Sequence, residues 1–182
     1  MNRILIVDDE ESILRALRRM LVSSRQPFSI DLFSDPVLAL EKAQFTAYDL
    51  VIADYRMPGM DGVQFLKAFR AIQPDTARLI LSGYADQKGL IGAINEAAIS
   101  RFIEKPWRDT ELVEIISKTL ADRQERLETQ RMADQVRVAE GALTAEDLER
   151  RLLEQQEPGI TKVNWGPDGS VLIDEPAPDR SS

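Results

Sequence analysis

Four polar positions in this chain each stand at the end of an apolar run. Asp8 and Asp9 follow Ile4-Leu5-Ile6-Val7, Asp54 follows Asp49-Leu50-Val51-Ile52-Ala53, Ser82 follows Leu79-Ile80-Leu81, and Lys105, itself followed by Pro106, comes after Phe102-Ile103-Glu104. In an open parallel sheet such ends face the crevice beyond the carboxyl edge of the strands, where ligands bind. Three carboxylates, a hydroxyl and an ammonium collected there suit Mg²⁺ together with a phosphoryl group, because carboxylates hold a hard cation while lysine and hydroxyl hold phosphate oxygens. Converging carboxylates repel one another and rise in pKa unless a cation sits among them, and Mg²⁺ supplies that charge.

The elements needed to position these groups are legible as an alternation. Short apolar runs alternate five times with amphipathic stretches, the pattern of a parallel sheet with helices on both faces. The strands are predicted near 3–8, 28–33, 49–54, 77–82 and 100–104. Ile13, Leu14, Leu17, Met20 and Leu21 repeat at helical spacing between the first two. Asp35-Pro36 reads as an N-cap followed by proline in the first turn, opening a helix whose apolar residues are Val37, Leu38 and Leu40. Helices near 62–73 and 86–97 follow, and right-handed crossovers distribute them over both faces.

The four positions together, with Asp54-Tyr55-Arg56-Met57-Pro58-Gly59-Met60-Asp61-Gly62, resemble the receiver domain of two-component response regulators over residues 1–120. The resemblance implies a doubly wound, flavodoxin-like α/β fold with a five-stranded parallel sheet of order 2-1-3-4-5. It implies that Asp54 is the phosphoacceptor, that Mg²⁺ is ligated by Asp9, Asp54 and the Arg56 backbone carbonyl with Asp8 acting through water, and that Lys105 and Ser82 contact the aspartyl phosphate. It places Phe102 at the switch aromatic position, moving in concert with Ser82, and puts a cis bond before Pro106. Gly83 after Ser82 leaves room for that hydroxyl to move. Arg56 and Tyr84 flank the pocket. The implied partners are a sensor histidine kinase or phosphotransfer protein, a second copy of the chain, and a downstream protein of unknown kind. Such a protein is an enzyme only in assisting transfer of a phosphoryl group to and from itself.

Composition narrows the alternatives. The 182 residues contain neither cysteine nor histidine, which removes disulfides, thiolate metal sites, the usual general base and any role as phosphohistidine donor. The start of the chain enters a strand at once and no run reaches membrane-spanning length, so a cytoplasmic protein without a signal peptide is expected. Residues 1–120 carry 15 basic and 17 acidic groups, whereas 121–182 carry 8 and 14. That acidic extension argues against direct nucleic-acid binding, which requires a basic face to displace counterions.

Beyond the receiver-like part, the helix that begins near Trp107 or Asp109 uses Leu112, Val113, Ile116, Leu120 and Leu127 as one stripe, and a second stripe of Met132, Val136, Ala139 and Leu143 is offset from it. Residues 121–142 therefore read as an extended helix or linker, as a two-chain coiled coil or as a charged helix lying on its own receiver. Thr144-Ala145-Glu146-Asp147 resembles a capping box opening a helix to Gln156, with Leu143 stapling on Leu148. Val163 and Trp165, the turn Gly166-Pro167-Asp168-Gly169, and Val171 and Ile173 describe a hairpin with one apolar face, so 143–174 reads as a small helix-plus-hairpin appendage, its apolar face against Leu148 and Leu152, another subunit or a partner. Residues 175–182 read as a disordered tail. Within these residues there is no His-Asp pair, Gly-Gly-Asp-Glu-Phe run, nucleotide loop or basic helix-turn-helix, although Ser82-Gly83-Tyr84-Ala85-Asp86 and Arg101-Phe102-Ile103-Glu104-Lys105-Pro106-Trp107 look like receivers attached to phosphodiesterase or transcription-activator outputs. The expected function is a phosphorylation-switched control of protein association. A phosphate-independent scaffold or adaptor, and a regulator that has lost such an output domain, are the rival readings.

Overall fold

A computed structural model describes residues 1–83 and 97–160, and the backbone of 164–165 and 171–172. The helix expected at 86–97 lies almost wholly outside the described residues, as do Tyr84, Val163, Ile173 and the 175–182 tail. Five strands, β1 (Asn2–Val7), β2 (Phe28–Phe33), β3 (Leu50–Asp54), β4 (Ala77–Gly83) and β5 (Arg101–Lys105), form one parallel sheet of order β2-β1-β3-β4-β5. Each lies within a residue of its expected position. Central strands buried on both faces must be apolar throughout, which is why Ile4-Leu5-Ile6-Val7 and Leu50-Val51-Ile52-Ala53 are continuous rather than alternating.

The pleat divides those runs between two cores. Ile4, Ile6, Ile52 and Leu79 face α1 (Glu11–Ser23) and the first half of α4 (Asp109–Ala139), meeting Leu17, Leu21, Leu112 and Ile116. Leu5, Val7, Val51 and Ile80 face α2 (Pro36–Ala43) and α3 (Gly62–Ile72), meeting Ala39, Phe65, Leu66 and Phe69. Asp35 caps α2 as expected, its carboxylate accepting from the Val37 amide at 2.7 Å. Of the apolar residues of α2, Val37 and Leu38 are half exposed, whereas Pro36, Ala39 and Ala43 are buried. The small residues take the inner face because α2 packs closely against α3 and the sheet, and the branched ones are left outside.

A buried polar hub closes the amino edge of the sheet. Gln73 ends α3, and its amide donates to the carbonyls of Ala43 and Thr46, at 2.7 Å each, while its Oε1 accepts from the Tyr48 amide at 2.9 Å. The Thr76 hydroxyl donates to the Tyr48 carbonyl at 2.8 Å. Tyr48 in turn donates its phenol to Asp31 at 2.8 Å, and burial followed by that acidic neighbour pushes its pKa well above the ordinary tyrosine range. One side chain thus ties the end of α2 to the entries of β3 and β4.

The helix α4 runs 31 residues without a break. At 1.5 Å per residue it is about 45 Å long, roughly twice the length of the strands it covers, so its second half projects past the sheet. There Arg123 donates to the Asp49 carboxylate at 2.8 Å and to the Asp75 carbonyl at 2.9 Å, and Arg126 reaches both oxygens of Asp75, carboxylate and carbonyl. Gly141, at φ +74°, turns the chain, and α5 (Ala145–Gln156) folds back along α4 within the same chain. Thr144 caps α5 as expected, accepting from the Asp147 amide at 3.1 Å. Arg151 meets the buried Asp134 of α4 at 3.6 Å, and Gln155 donates to Asp75 at 2.8 Å. The face that α5 covers is therefore not the second stripe: Met132, Val136 and Ala139 are exposed, and Leu127 and Asp134, one heptad apart, are buried. Helical phase carries the Leu120–Leu127 line forward to Asp134, and α5 covers that line. The backbone of a two-stranded antiparallel piece follows, β6 (Asn164–Trp165) with β7 (Val171–Leu172), pairing Trp165 with Val171 as the hairpin pattern requires.

Replacing Gln73 by leucine keeps the volume but strands two carbonyls and an amide in the interior. Gln73→Leu is expected to cost roughly 2–4 kcal/mol in urea-unfolding free energy, without loss of secondary structure by circular dichroism.

Candidate functional site

The strand order places the carboxyl ends of β1, β3, β4 and β5 side by side. Asp8 follows β1 directly, Asp54 is the last residue of β3, Ser82 is the penultimate residue of β4 and Lys105 ends β5. Asp8 is fully buried, Asp54 and Ser82 nearly so. Lys105 lies two strands from Asp54, a gap of roughly 10 Å between backbones, bridged by the lysine stem across the short side chain of Ser82 and the bare backbone of Gly83, which pairs with Lys105 in the register. Its ammonium contacts one carboxylate oxygen of Asp54 and donates to Asp8 at 3.0 Å. The peptide between Lys105 and Pro106 is cis, as the resemblance implied.

Backbone amides complete the charge balance. Asp54 Oδ2 accepts from the Arg56 amide at 2.8 Å, and Asp8 Oδ1 accepts from the Glu10 amide at 2.9 Å. Burial pushes the Asp8 carboxyl up, and the Lys105 and Glu10 hydrogen bonds only partly reverse it. For Lys105 burial acts downward, but the bonds to Asp54 and Asp8 outweigh it and the ammonium is held above its ordinary range. The proton accordingly stays on the lysine, and the carboxylates share its charge.

The sequence-predicted residues do not all converge in the same manner. Asp8, Asp54 and Lys105 form one bonded group. Asp9 is exposed, and its surroundings are Asp35 and the Pro58-Gly59-Met60 loop. Asp8 and Asp54 are thus a buried pair, and Asp9, next to Asp8 in the chain, is solvated. Mutual repulsion explains this: the ammonium of Lys105 neutralises two carboxylates, and a third is better solvated outside. The donors still suit Mg²⁺, which is held through one or two carboxylates and retains several waters. Asp8, Asp54 and Asp9, with the carbonyl of Arg56, are all-oxygen ligands of the right hardness. The Ser82 hydroxyl is 3.2 Å from the Gly83 carbonyl, to which it donates. Phe102 is half buried against the core that contains Ile80, its partner across the β4–β5 ladder.

Gly62 is a residue whose importance the sequence reading passed over. It opens α3 directly beneath the site, and a Cβ placed on it would overlap the carbonyl oxygen of Asp54. Its amide donates to Tyr55 at 2.9 Å, and a reciprocal capping box between Asp61 and Gln64 fixes the start of α3. The signal was present as the second glycine of Met57-Pro58-Gly59-Met60-Asp61-Gly62, where close backbone approach demands the absence of a side chain.

Comparison with known proteins agrees with this geometry. The family model described as the response regulator receiver domain matches residues 4–117. The hydrogenase transcriptional regulatory protein HoxA of Bradyrhizobium diazoefficiens is 37% identical over 117 residues, covering 64% of this chain and 24% of that protein. The transcriptional regulatory protein FixJ of the same organism is 27% identical over 153 residues, covering 84% of this chain and 72% of its own length. Among solved structures, the signal receiver domain of an HD domain-containing protein from Pseudomonas fluorescens superposes with a TM-score of 0.63 at 35% identity, covering 68% of this chain and 98% of that one. The chain thus spans about a quarter of the length of its HoxA relatives. By its fold, its strand-end residues and its match over residues 4–117, this chain belongs to the response regulator receiver family of two-component systems.

Proposed function

We propose that this chain is a phosphorylation-switched signalling protein in which Asp54 accepts a phosphoryl group from a histidine kinase or phosphotransfer protein. The observation that carries the reading is the Lys105 ammonium held jointly by Asp8 and Asp54 at the carboxyl edge of the sheet. In the transfer, an Asp54 carboxylate oxygen attacks phosphorus, the bond from phosphorus to the donor breaks, and the donor leaves with the electron pair of that bond. Lys105 exchanges its bond to Asp54 for one to a phosphoryl oxygen, so that its charge follows the charge created. The Arg56 amide keeps the second carboxylate oxygen oriented. Ser82 turns its hydroxyl from Gly83 toward the phosphoryl group, and Phe102 occupies the volume released beside β4. Asp9, Asp54 and the Arg56 carbonyl would hold Mg²⁺, with Asp8 acting through water. The bound ion supplies positive charge to the transferring oxygens.

The division that accompanies this reading is a receiver over 1–120, an extended helix over 121–142, an appendage over 143–174 and a tail over 175–182. The support is that α4 continues unbroken from the receiver and that α5 returns to bond Asp75. No helix among the described residues is long and apolar enough to cross a membrane. Relatives named as transcriptional regulators support a place in a larger regulatory circuit, with output through association of this chain with a second copy or a downstream protein.

Treatment with acetyl phosphate and Mg²⁺ is expected to add one phosphoryl group by intact mass, and Asp54→Ala should abolish it while the unfolding midpoint shows a folded chain; labelling of that variant at any other residue would overturn the assignment. Asp9→Ala is expected to weaken Mg²⁺ binding by calorimetry by about tenfold or more, the loss of a charged ligand. Unchanged affinity would remove Asp9 from the ligand set. If the extension carries the output, verified phosphorylation should change the sedimentation coefficient or the emission of Trp165 in a Trp107→Phe background. A response in neither would leave the extension outside the switch.

A further inference from the structure

At the opposite, amino edge of the sheet, arginines from three layers of the fold surround a hollow of about 460 Å³. Arg70 comes from the last turn of α3, Arg78 from β4, Arg101 from β5, and Arg123 and Arg126 from α4. Asp122 is the one carboxylate lining it among the described residues, 3.8 Å from Arg101. Asp49 and Asp75 hold Arg123 and Arg126 from behind. The concentration is unexpected in a chain of formal charge −8, and all five cations are arginine, the side chain whose planar fork matches phosphate oxygens.

Arg78 makes the arrangement costly unless it serves a purpose. It is only 6% exposed, and its guanidinium donates to two neutral carbonyls, Ala98 at 3.2 Å and Pro74 at 3.1 Å, with no carboxylate in ion-pair range among the described residues. Burial first, then the neighbouring Arg70 and Arg126, depress its pKa to about 10, with Asp75 opposing. Ser100 stands at the rim, its hydroxyl accepting from the Arg78 amide at 3.3 Å. A buried cation facing like charges gains most from an anion that is itself multiply charged.

We infer that this hollow is a binding site for a small phosphorylated anion of the pyrophosphate type, free or at the end of a nucleotide, held between α3, β4, β5 and α4. The volume exceeds that of a single ion and is small for a macromolecular surface. Arg123 and Arg126 also fasten the extension to Asp49 and Asp75, so an occupant would draw on the same guanidiniums that seat α4. The site is remote from Asp54 and does not depend on the proposed phosphotransfer.

The test is calorimetric titration of the full chain with pyrophosphate in EDTA at fixed ionic strength, with inorganic phosphate, ADP and a short single-stranded oligonucleotide as separate arms. Saturable one-to-one binding of pyrophosphate is expected. The double variant Arg70→Gln/Arg101→Gln, at exposed positions, should weaken it by about tenfold or more, as expected for lost charge-assisted hydrogen bonds, with its urea midpoint unchanged and its Asp54 labelling by acetyl phosphate retained. ADP binding as tightly as pyrophosphate would identify the phosphates alone as the ligand, and tighter binding of ADP would identify a nucleotide. The inference is overturned by no pyrophosphate binding, by equal affinity in the double variant, or by an oligonucleotide that binds through these arginines in preference to pyrophosphate.

Discussion

The buried carboxylate of Asp8 and its bond to Lys105 set the constraint from which the rest of the receiver follows. An ionised carboxylate removed from water costs several kcal/mol even after relaxation, and Asp8 has no exposure at all. The Glu10 amide supplies one hydrogen bond and the Lys105 ammonium supplies the charge. For that ammonium to arrive, β5 must lie beyond β4, β4 must end in small residues, and the β4–β5 register must bring Lys105 opposite Gly83. A slip of one residue would turn the lysine to the other face of the sheet. Strand order, register and the choice of Ser82-Gly83 are thus conditions for one salt-bridged group, and Asp54 shares in the compensation that Asp8 requires.

The same argument explains why the site has two preferred arrangements of charge in the proposed function. With Asp54 unmodified, the lysine divides itself between two carboxylates. Phosphorylation adds roughly −1.5 to −2 charge at the end of β3, and the lysine has a stronger partner there. A change of that kind shifts a surface only through groups whose contacts differ between the two states. In the proposed function Ser82 is such a group: its hydroxyl, which in this structure donates to the carbonyl of its own neighbour, turns to the phosphoryl group.

Much of this was legible in the sequence because burial on both faces leaves strands with no freedom of composition. The β1 and β3 runs, the Asp35-Pro36 cap and the Thr144 cap are each local statements, and the structure bears them out to within a residue. What stays illegible is of another kind. Val37, Leu38 and Leu40 mark α2 as apolar without saying which of its residues are buried, and the contact of α2 with α3 selects the small Ala39 and Ala43. The stripe of Met132 and Val136 is present and exposed, and the line that α5 covers, Leu127 and Asp134, is one that no apolar periodicity in α4 announces. Strand ends locate the Cα atoms of Asp8, Asp9 and Asp54 but not how each carboxylate divides between solvent and Lys105, which leaves Asp9 exposed and the other two buried. Gly62 was visible as a letter, but its necessity depends on where the Asp54 carbonyl passes.

The arginine hollow is not legible in the sequence for a related reason: three of its arginines lie within 1–120, where the charges nearly cancel, and two lie in the acidic 121–182, so neither segment is basic although the fold brings the five together. The carboxyl edge gathers Asp8 and Asp54 around Lys105, whereas the amino edge gathers five arginines against Asp49, Asp75 and Asp122. β4 is common to both, carrying Arg78 near its start and Ser82 near its end. Asp75, just before β4, accepts from Arg126 and Gln155, so the strand that ends beside Asp54 begins beside the anchor of the extension. β3 joins the same two edges over a shorter span, from Asp49, which holds Arg123 of α4, to Asp54, so β3 and β4 each run from the seat of the helical hairpin to the strand ends where Asp54 and Ser82 stand.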